Sequence, residues 1–431
     1  MVTHPDQQRA FAEAVVRQLR NAGFTALWAG GCVRDLLLGK PPKDYDVATD
    51  ARPEQVRAVF GNRRTLSVGE SFGVIVVLAP DRDAGQIEVA TFRTDGQYSD
   101  GRRPDSVIFS TPEMDAQRRD FTINGMFYDP LERRVLDYVG GERDLGSGIV
   151  RAIGDPHARM TEDKLRMLRA VRFTATFDFQ LDLKTAESVK EMASQLTTVS
   201  AERIGQEVRR MLVDPHRHRA MQLCVELELL PQVFPELKPI QSRPELWQST
   251  LHKLRLLQTP SFSLAFAVLY DRLHECDKEC RDSLAAVTAA GQRLRLSNQE
   301  LDATLWLLKH RRSLRSAATQ SLARLKRTLS EPGGEELLSL LRVQDLAEGH
   351  DPNDSLFCEE FLRVTPLAEL NPPPLITGDD LKRLGLAPGP QFKRLLDTLR
   401  DAQLNGELAS HEAALSHAKQ LIDVPRDCVE S

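Results

Sequence analysis

Asp44 and Asp46, in the run KDYDVAT, are two acids two positions apart. On a β-strand, positions i and i+2 share a face, so a strand here presents the two carboxylates side by side. Like charges at that distance repel unless they are protonated or joined by a hard cation. Mg²⁺ takes oxygen ligands and commonly uses one or two carboxylates together with substrate phosphate oxygens. The pair therefore points to metal-assisted phosphoryl or nucleotidyl transfer. An EF-hand is excluded, because Ala48 and Thr49 stand where that loop needs an oxygen ligand and a glycine. An acid-x-acid run is also common on solvated loops, so its surroundings must decide.

Those surroundings carry phosphate chemistry. Gly30-Gly31 lets backbone N–H groups approach a phosphate closely, and Arg34 follows one turn into the next helix pattern. A P-loop is excluded, since GxxxxGK[ST] is absent. Two further stretches add cations: RRDFTING from Arg118 to Gly125, and EDKLRMLRAVRF from Glu162 to Phe173. In the second, Asp163, Arg166, Arg169 and Arg172 recur every three residues, near one face of a helix. A solvated charged face over Leu165, Leu168 and Val171 has the same pattern. Asp163 only accepts hydrogen bonds and Arg166 only donates them. Such a pair matches the amino donor and ring-nitrogen acceptor of cytosine and adenine, and it mismatches guanine and uracil.

These residues need a scaffold. The first ~150 residues read as mixed α/β. A helix pattern from Gln7 to Ala22 precedes the apolar run TALWAGG, and a helix PEQVRAVFG follows the acids. VGESFGVIVVLAP and QIEVATFR are strand signals, and RRVLDYVGG and GIVRAIG close the β-rich part. From His157 the spacing turns helical, through TEDKLRMLRAVRFTATF, ESVKEMASQLTTV, AERIGQEVRRMLVD and HRAMQLCVELELL. Loop signals interrupt at Ser330–Glu336, Glu348–Asp354 and Asn371–Leu375. Thr377 with Asp380 three residues on predicts a helix start with a capping box.

Taken together, Gly-Gly-x-Val-Arg-Asp, Asp-x-Asp, Arg-Arg-Asp-Phe-Thr-Ile-Asn and Glu-Asp-x-x-Arg-x-x-Arg-x-x-Arg-Phe resemble the class II tRNA nucleotidyltransferases and the related bacterial poly(A) polymerases. AERIGQEVRRML resembles the helical motif that follows in that family, and the likeness runs from Gly30 to about Leu212. The resemblance implies an α+β fold: a nucleotidyltransferase α/β head with a mixed sheet, then an elongated all-α neck, body and tail. The expected divisions are 1–150 for the head, 151–215 for a neck with the nucleotide-recognition helix, 216–330 for the body, and 331–431 for a tail with tRNA contacts. Asp44 and Asp46 would be catalytic and hold Mg²⁺. Gly31 and Arg34 would contact the nucleotide, with Gly30 a further candidate. Arg119, with Arg118 and Asp120, would bind nucleotide and favour ribose. Asp163 and Arg166 would be the template for C and A. Arg169 and Arg172 would complete the site, and Glu88 is a candidate third acid. The implied partners are a tRNA 3′ end, CTP and ATP.

Within that family, RTDGQYSDGRRPDSV (Arg93 to Val107) resembles the flexible loop of full CCA-adding enzymes. RRTLSVGESFGVIVV departs from the Gly-Arg-Arg-Phe segment of the poly(A) polymerases. Both favour CCA addition, while A-only addition, poly(A) tailing and a non-catalytic RNA-binding role stay open. LLKHRRSLRSA and LARLKRTL are basic stretches suited to tRNA phosphates or to plain solvent.

Composition sets outer bounds. With 57 Lys and Arg against 62 Asp and Glu, the net charge is −5, so phosphate binding needs a local basic surface. No apolar run suits a membrane, and the N-terminus lacks signal-peptide features, which together with six scattered cysteines predicts a cytoplasmic protein. No protein partner is predicted. His274, Cys276 and Cys280 lie close in sequence, but a helix surface accounts for them better than a metal site does.

Overall fold

The computed structural model describes residues 5–67, 73–80, 84–95, 107–275 and 283–423. The chain divides into two compact units, Met1–Glu236 and Leu237–Ser431.

The first unit opens with α1 (Pro5–Asn21), β1 (Ala26–Ala29), α2 (Gly31–Leu37), β2 (Asp46–Thr49) and α3 (Pro53–Phe60). Strands β3 (Thr65–Leu66), β4 (Val74–Leu78), β5 (Gln86–Thr91), β6 (Arg93–Asp95) and β7 (Val107–Phe109) follow. Then come α4 (Pro112–Gln117), β8 (Phe127–Asp129), β9 (Arg134–Leu136), α5 (Gly141–Gly146) and β10 (Ile149–Val150). Seven strands form one mixed sheet in the order β3-β4-β5-β2-β1-β8-β9. Only β2 and β5 run parallel there; the other neighbours are antiparallel.

Alternation assigns the two faces. Leu27 and Ala29 of β1 pack with Ala48, Phe92, Ala116 and Phe127 in one apolar cluster. Trp28 points the other way, toward the side where α1 buries Phe11, Ala12, Val15, Val16 and Leu19. Asp46 lies one residue from Val47, the partner of Trp28, so it projects on the Ala48 face, opposite Trp28. In β5, Ile87, Val89 and Thr91 are buried while Gln86 and Glu88 are exposed.

Two expectations fail here. KDYDVAT is not a strand throughout: β2 begins at Asp46, and Asp44 sits in the preceding bend. The β1–β2 pairing ends with Trp28 opposite Val47, and Tyr45 turns edge-on to Trp28 with ring centroids 4.7 Å apart. Arg93–Val107 is not wholly a loop, since its two ends pair as antiparallel β6 and β7. Residues 96–106 lie outside the described residues, as does 68–72 of the VGESF stretch.

Helices then take over: α6 (Pro156–Glu162), α7 (Arg166–Thr176), α8 (Leu183–Met192), α9 (Ala201–Val213), α10 (Arg217–Glu226) and α11 (Leu230–Val233). The two-residue β11 (Gln180–Leu181) pairs with β10 in parallel. The predicted single helix across TEDKLRMLRAVRFTATF is broken. Asp163 adopts φ −146°, ψ 102°, and its carboxylate accepts from the Leu165 N–H at 3.1 Å. Arg166 folds back to donate to the Arg159 carbonyl at 2.9 Å, satisfying the end of α6.

The second unit contains α12 (Lys238–Gln241), α13 (Pro244–Leu256), α14 (Phe262–Tyr270), α15 (Ser283–Arg293), α16 (Asn298–His310), α17 (Leu322–Leu329), α18 (Gly334–Ala347), α19 (Asn353–Val364), α20 (Leu367–Leu370), α21 (Gly378–Arg383), α22 (Pro390–Leu404) and α23 (His411–Asp423). No strand occurs in it among the described residues. The capping box at Thr377 is present: its N–H donates to Asp380 at 2.9 Å. A buried Lys253–Asp271 pair at 2.6 Å ties α13 to the turn after α14, and Gln344 donates to the same carboxylate at 2.8 Å.

Candidate active site

The first unit carries a cleft of about 440 Å³ lined by Gly30, Gly31, Arg34, Asp46, Arg118, Arg119, Asp120, Asn124, Asp163, Leu165, Arg166, Arg169, Phe173 and Arg203. Six arginines and three aspartates line it, so its surface presents more cations than acids, with Asp35, Asp115 and Glu162 pairing four of those arginines from behind. Positive charge concentrated in a concave site favours a polyanion such as a triphosphate.

Its floor is the β1–α2 turn. Gly30 has φ +75° and ψ −124°, a conformation open to glycine and costly for other residues. A β-carbon there would lie 2.8 Å from Arg119 Nη1, so the glycine also admits that guanidinium. Arg34, on α2, is nearly buried. It donates to Asn124 Oδ1 at 2.6 Å and lies over the Phe177 ring at 4.5 Å.

The Arg118–Asn124 segment is tied from below. Asp115, at 1 % exposure, takes Arg118 on one oxygen at 2.9 Å and Arg119 on the other at 3.0 and 3.1 Å. Asp120 accepts both Nε and Nη2 of Arg169, at 2.8 and 2.6 Å, and the Asn124 amide at 3.1 Å. Burial alone would raise the Asp120 pKa, but Arg169 and these hydrogen bonds outweigh it and hold the group at about 2. Asn124 therefore bridges Arg34 and Asp120.

Asp46 sits across from Glu88 in the parallel β2–β5 register. It keeps an open face to water at the cleft, yet its pKa is raised to about 6. Loss of hydration is the first cause, and the charges of Glu88 and Asp44 add to it, opposed by Arg119. Arg119 offsets this acid group only in part, which suits a hard divalent cation held by one or two carboxylates. Among the described residues, no group of three His, Cys, Asp or Glu side chains is arranged around a metal position. His274 Nδ1 lies 2.7 Å from the Asp271 carbonyl, while Cys276 and Cys280 fall outside the described residues.

The arginine ladder does not act as one stripe. Each three-residue step turns about 60° back around the helix, so Arg172 faces well away from Arg166. Arg166 and Arg169 reach the cleft; Arg172 does not line it and donates to Glu207 of α9 at 2.5 Å. Asp163 and Arg166 both line the cleft, joined through the backbone, where the Arg166 N–H donates to the Asp163 carbonyl at 3.0 Å, while their side chains take other partners. Arg166 binds Glu162 at 2.6 Å and the Arg118 carbonyl at 3.2 Å. Asp163 is gripped by both terminal nitrogens of Arg203, at 3.0 and 2.6 Å. Asp44 and Glu88 lie outside the lining.

Sequence reasoning missed Asn124, Arg203 and Glu207. Asn124 lies inside RRDFTING, where a polar residue among apolar neighbours was its only mark. Arg203 and Glu207 lie in AERIGQEVRRML, where helical spacing puts them one turn apart on a face toward α7.

The sequence has close parallels. A family model described as the poly A polymerase head domain matches residues 26–151, and one described as a probable RNA and SrmB-binding site of polymerase A matches 178–241. The CCA-adding enzyme of Pediococcus pentosaceus is 32% identical over 409 residues, covering 94% of this chain and 96% of that one. The chain belongs to the CCA-adding enzyme and poly(A) polymerase family. Within this nucleotidyltransferase family, the CCA-adding enzyme of Enterococcus faecalis is 32% identical over 95% of both chains. Poly(A) polymerase I of Escherichia coli O6:H1 is 42% identical, over 51% of this chain and 49% of that enzyme. Among solved structures, the Bacillus stearothermophilus CCA-adding enzyme in complex with CTP superimposes with a TM-score of 0.75 at 26% identity, covering 98% and 99% of the two chains. The α+β architecture read from the sequence is thus the family's own. Among the described residues, no helix is long and apolar enough to cross a membrane.

Proposed function

We propose that this protein adds C, C and A to the 3′ end of tRNA from CTP and ATP, without a nucleic-acid template and with release of pyrophosphate. The observation that carries this reading is Asp46, Arg119, Asp163 and Arg166 around one cleft, in a chain matched over its length by CCA-adding enzymes. The half-length likeness to a poly(A) polymerase makes A-tailing the second reading.

Gly30, Gly31 and Arg34 receive the triphosphate beside the β1–α2 turn. Arg119 and Arg169, anchored by Asp115 and Asp120, supply fixed positive charge where phosphate oxygens lie and need no reorganisation during reaction. Arg118 and Asp120 border the ribose. Asp163 accepts the exocyclic amine of cytosine or adenine, because a carboxylate held by Arg203 keeps unused acceptor positions. Arg166 donates to the adjacent ring nitrogen. A base with the reverse pattern leaves both groups unpaired, at about 1–3 kcal/mol each. Arg172 acts through Glu207, orienting α7 against α9.

Asp44 and Asp46 would hold Mg²⁺, with Glu88 behind Asp46. When bound, the cation supplies charge neutralisation at the α-phosphate and activation of the attacking 3′-hydroxyl. We retain the division into head (1–150), neck (151–215), body (216–330) and tail (331–431), the first boundary supported by the 26–151 match, and assign the protein to the cytoplasm.

An extension assay tests the proposal. Purified protein with Mg²⁺ receives tRNAs ending before CCA, after C and after CC, with each nucleotide alone and with CTP plus ATP. Stepwise growth that stops at CCA is expected. A single A added only to the CC end, or an untemplated A ladder, assigns the alternatives. No extension, with tRNA binding kept, would leave an RNA-binding protein.

A further inference from the structure

A second pocket of about 600 Å³ lies in the first unit, lined by Arg9, Glu13, Arg17, Trp28, Tyr128, Pro130, Leu131 and Arg133. It is on the opposite side of the sheet from Asp46. Trp28 pairs with Val47 on one side and Tyr128 on the other, whereas Asp46 alternates to the other face. The catalytic cleft shares none of these lining residues.

The pocket is rich in donors. Arg9 and Arg17 fall on one stripe of α1, eight residues apart. Glu13 between them is taken by Arg17 at 2.7 Å. Arg9 and Arg133 form no ion pair among the described residues. Arg133 has φ +54° in the β8–β9 turn, and that turn is built on a buried carboxylate: Asp129 accepts the Leu131 and Glu132 N–H groups at 3.0 and 3.1 Å and pairs with Arg20. The turn therefore holds Arg133 in place against an unfavourable backbone. At the base, Trp28 is 1 % exposed and its indole N–H has no hydrogen-bond partner among the described residues. Tyr128 lies 5.6 Å from Trp28, ring to ring, and is half-buried.

We infer that this pocket binds a nucleotide phosphate together with its base, as a site separate from the catalytic cleft. Arg9 and Arg133 receive the phosphate, and the Tyr128 ring, which lies against Trp28, offers a stacking surface to the base, so that a bound base is reported by the Trp28 indole signal. The cavity volume falls in the range of small-ligand pockets, about 300–1,000 Å³. The nucleotide comes either free or as part of an RNA strand. The inference does not depend on the reaction proposed above.

The test uses the full chain without divalent metal. Its tryptophan indoles are ¹⁵N-labelled, and the Trp28 resonance is assigned with Trp28→Phe. The protein is titrated with 5′-AMP and separately with a short unstructured RNA. A saturable shift of the Trp28 indole signal is expected, weakened at least about tenfold in the Arg9→Gln/Arg133→Gln variant. That variant should melt at the wild-type temperature, which reports that it folds. Saturation by 5′-AMP identifies a free-nucleotide site, and response to the RNA alone identifies a strand site. An unmoved Trp28 signal with both probes, or a shift equal in wild type and variant, overturns the inference.

Discussion

Replacing Arg203 with Gln tests the base-reading geometry at a residue that would not touch the base. Arg203 holds both oxygens of Asp163, at 3.0 and 2.6 Å, and the two side chains are only 19% and 16% exposed. Hydrogen bonds to charged groups contribute roughly 1.5–3 kcal/mol each, and partial solvent contact puts this fork near the lower end. Gln offers at most one neutral hydrogen bond, so the constraint on Asp163 falls by about 1.5 kcal/mol, or about tenfold. The carboxylate then rotates among orientations and also accepts a donor displaced from the cytosine or adenine position. Single-turnover incorporation is measured for CTP, ATP, GTP and UTP one at a time on tRNA acceptors. The expected result is that the preference for C or A over G or U shrinks about tenfold, with thermal stability little changed and Arg203→Lys intermediate. Equal loss with all four nucleotides, discrimination intact, would show that Arg203 merely braces α9 and would refute the reasoning.

Gly30→Ala should cost at least about 1–2 kcal/mol of stability from the positive φ, and its β-carbon should displace Arg119 and cut nucleotide use at least tenfold; Gly23→Ala, at φ +88° with nothing within 4 Å, should lose stability in thermal melts and keep extension activity. Asp46→Asn should abolish extension yet raise the melting temperature of metal-free protein, because it removes a charge that burial, Glu88 and Asp44 disfavour; added Mg²⁺ should stabilise wild type more than the variant. Asp120 is held at about 2, below its ordinary 3.8, so its contribution of roughly 2 kcal/mol is present above about pH 4 and is lost as pH falls toward 2. Denaturant unfolding across that range should therefore show a smaller acid dependence for Asp120→Asn than for wild type.

The Thr377 helix start was legible because a capping box is local: the same four residues contain donor and acceptor. The strands β4 and β5 were legible because β-branched runs and alternation are also local signals. Three-residue spacing drifts around a helix, and only the position of Glu207 on α9 shows that Arg172 points away from the cleft that Arg166 and Arg169 reach. Helical propensity continues through Asp163, yet its backbone is extended, and its carboxylate is shared between the Leu165 N–H nearby and Arg203, forty residues later in the chain. Strand β8 was overlooked because FYD is three residues long and owes its conformation to β1 and β9 beside it.

By itself, the sequence determined the chemistry. Acids two apart, a Gly-Gly turn, Arg-Arg-Asp and Asp-x-x-Arg carry the charge, donor and acceptor types that a nucleotide and a cation require, and those types belong to residues whatever their packing. Tertiary structure decided which of these groups share one cleft and what each is bonded to. It paired Asp46 with Glu88 across β2 and β5, gave Asp120 to Arg169 and Asp163 to Arg203, and buried Trp28 beside Tyr128 on the other face. Such partners come from different elements, so their distances depend on how sheet and helices pack, a property that no local window of sequence contains.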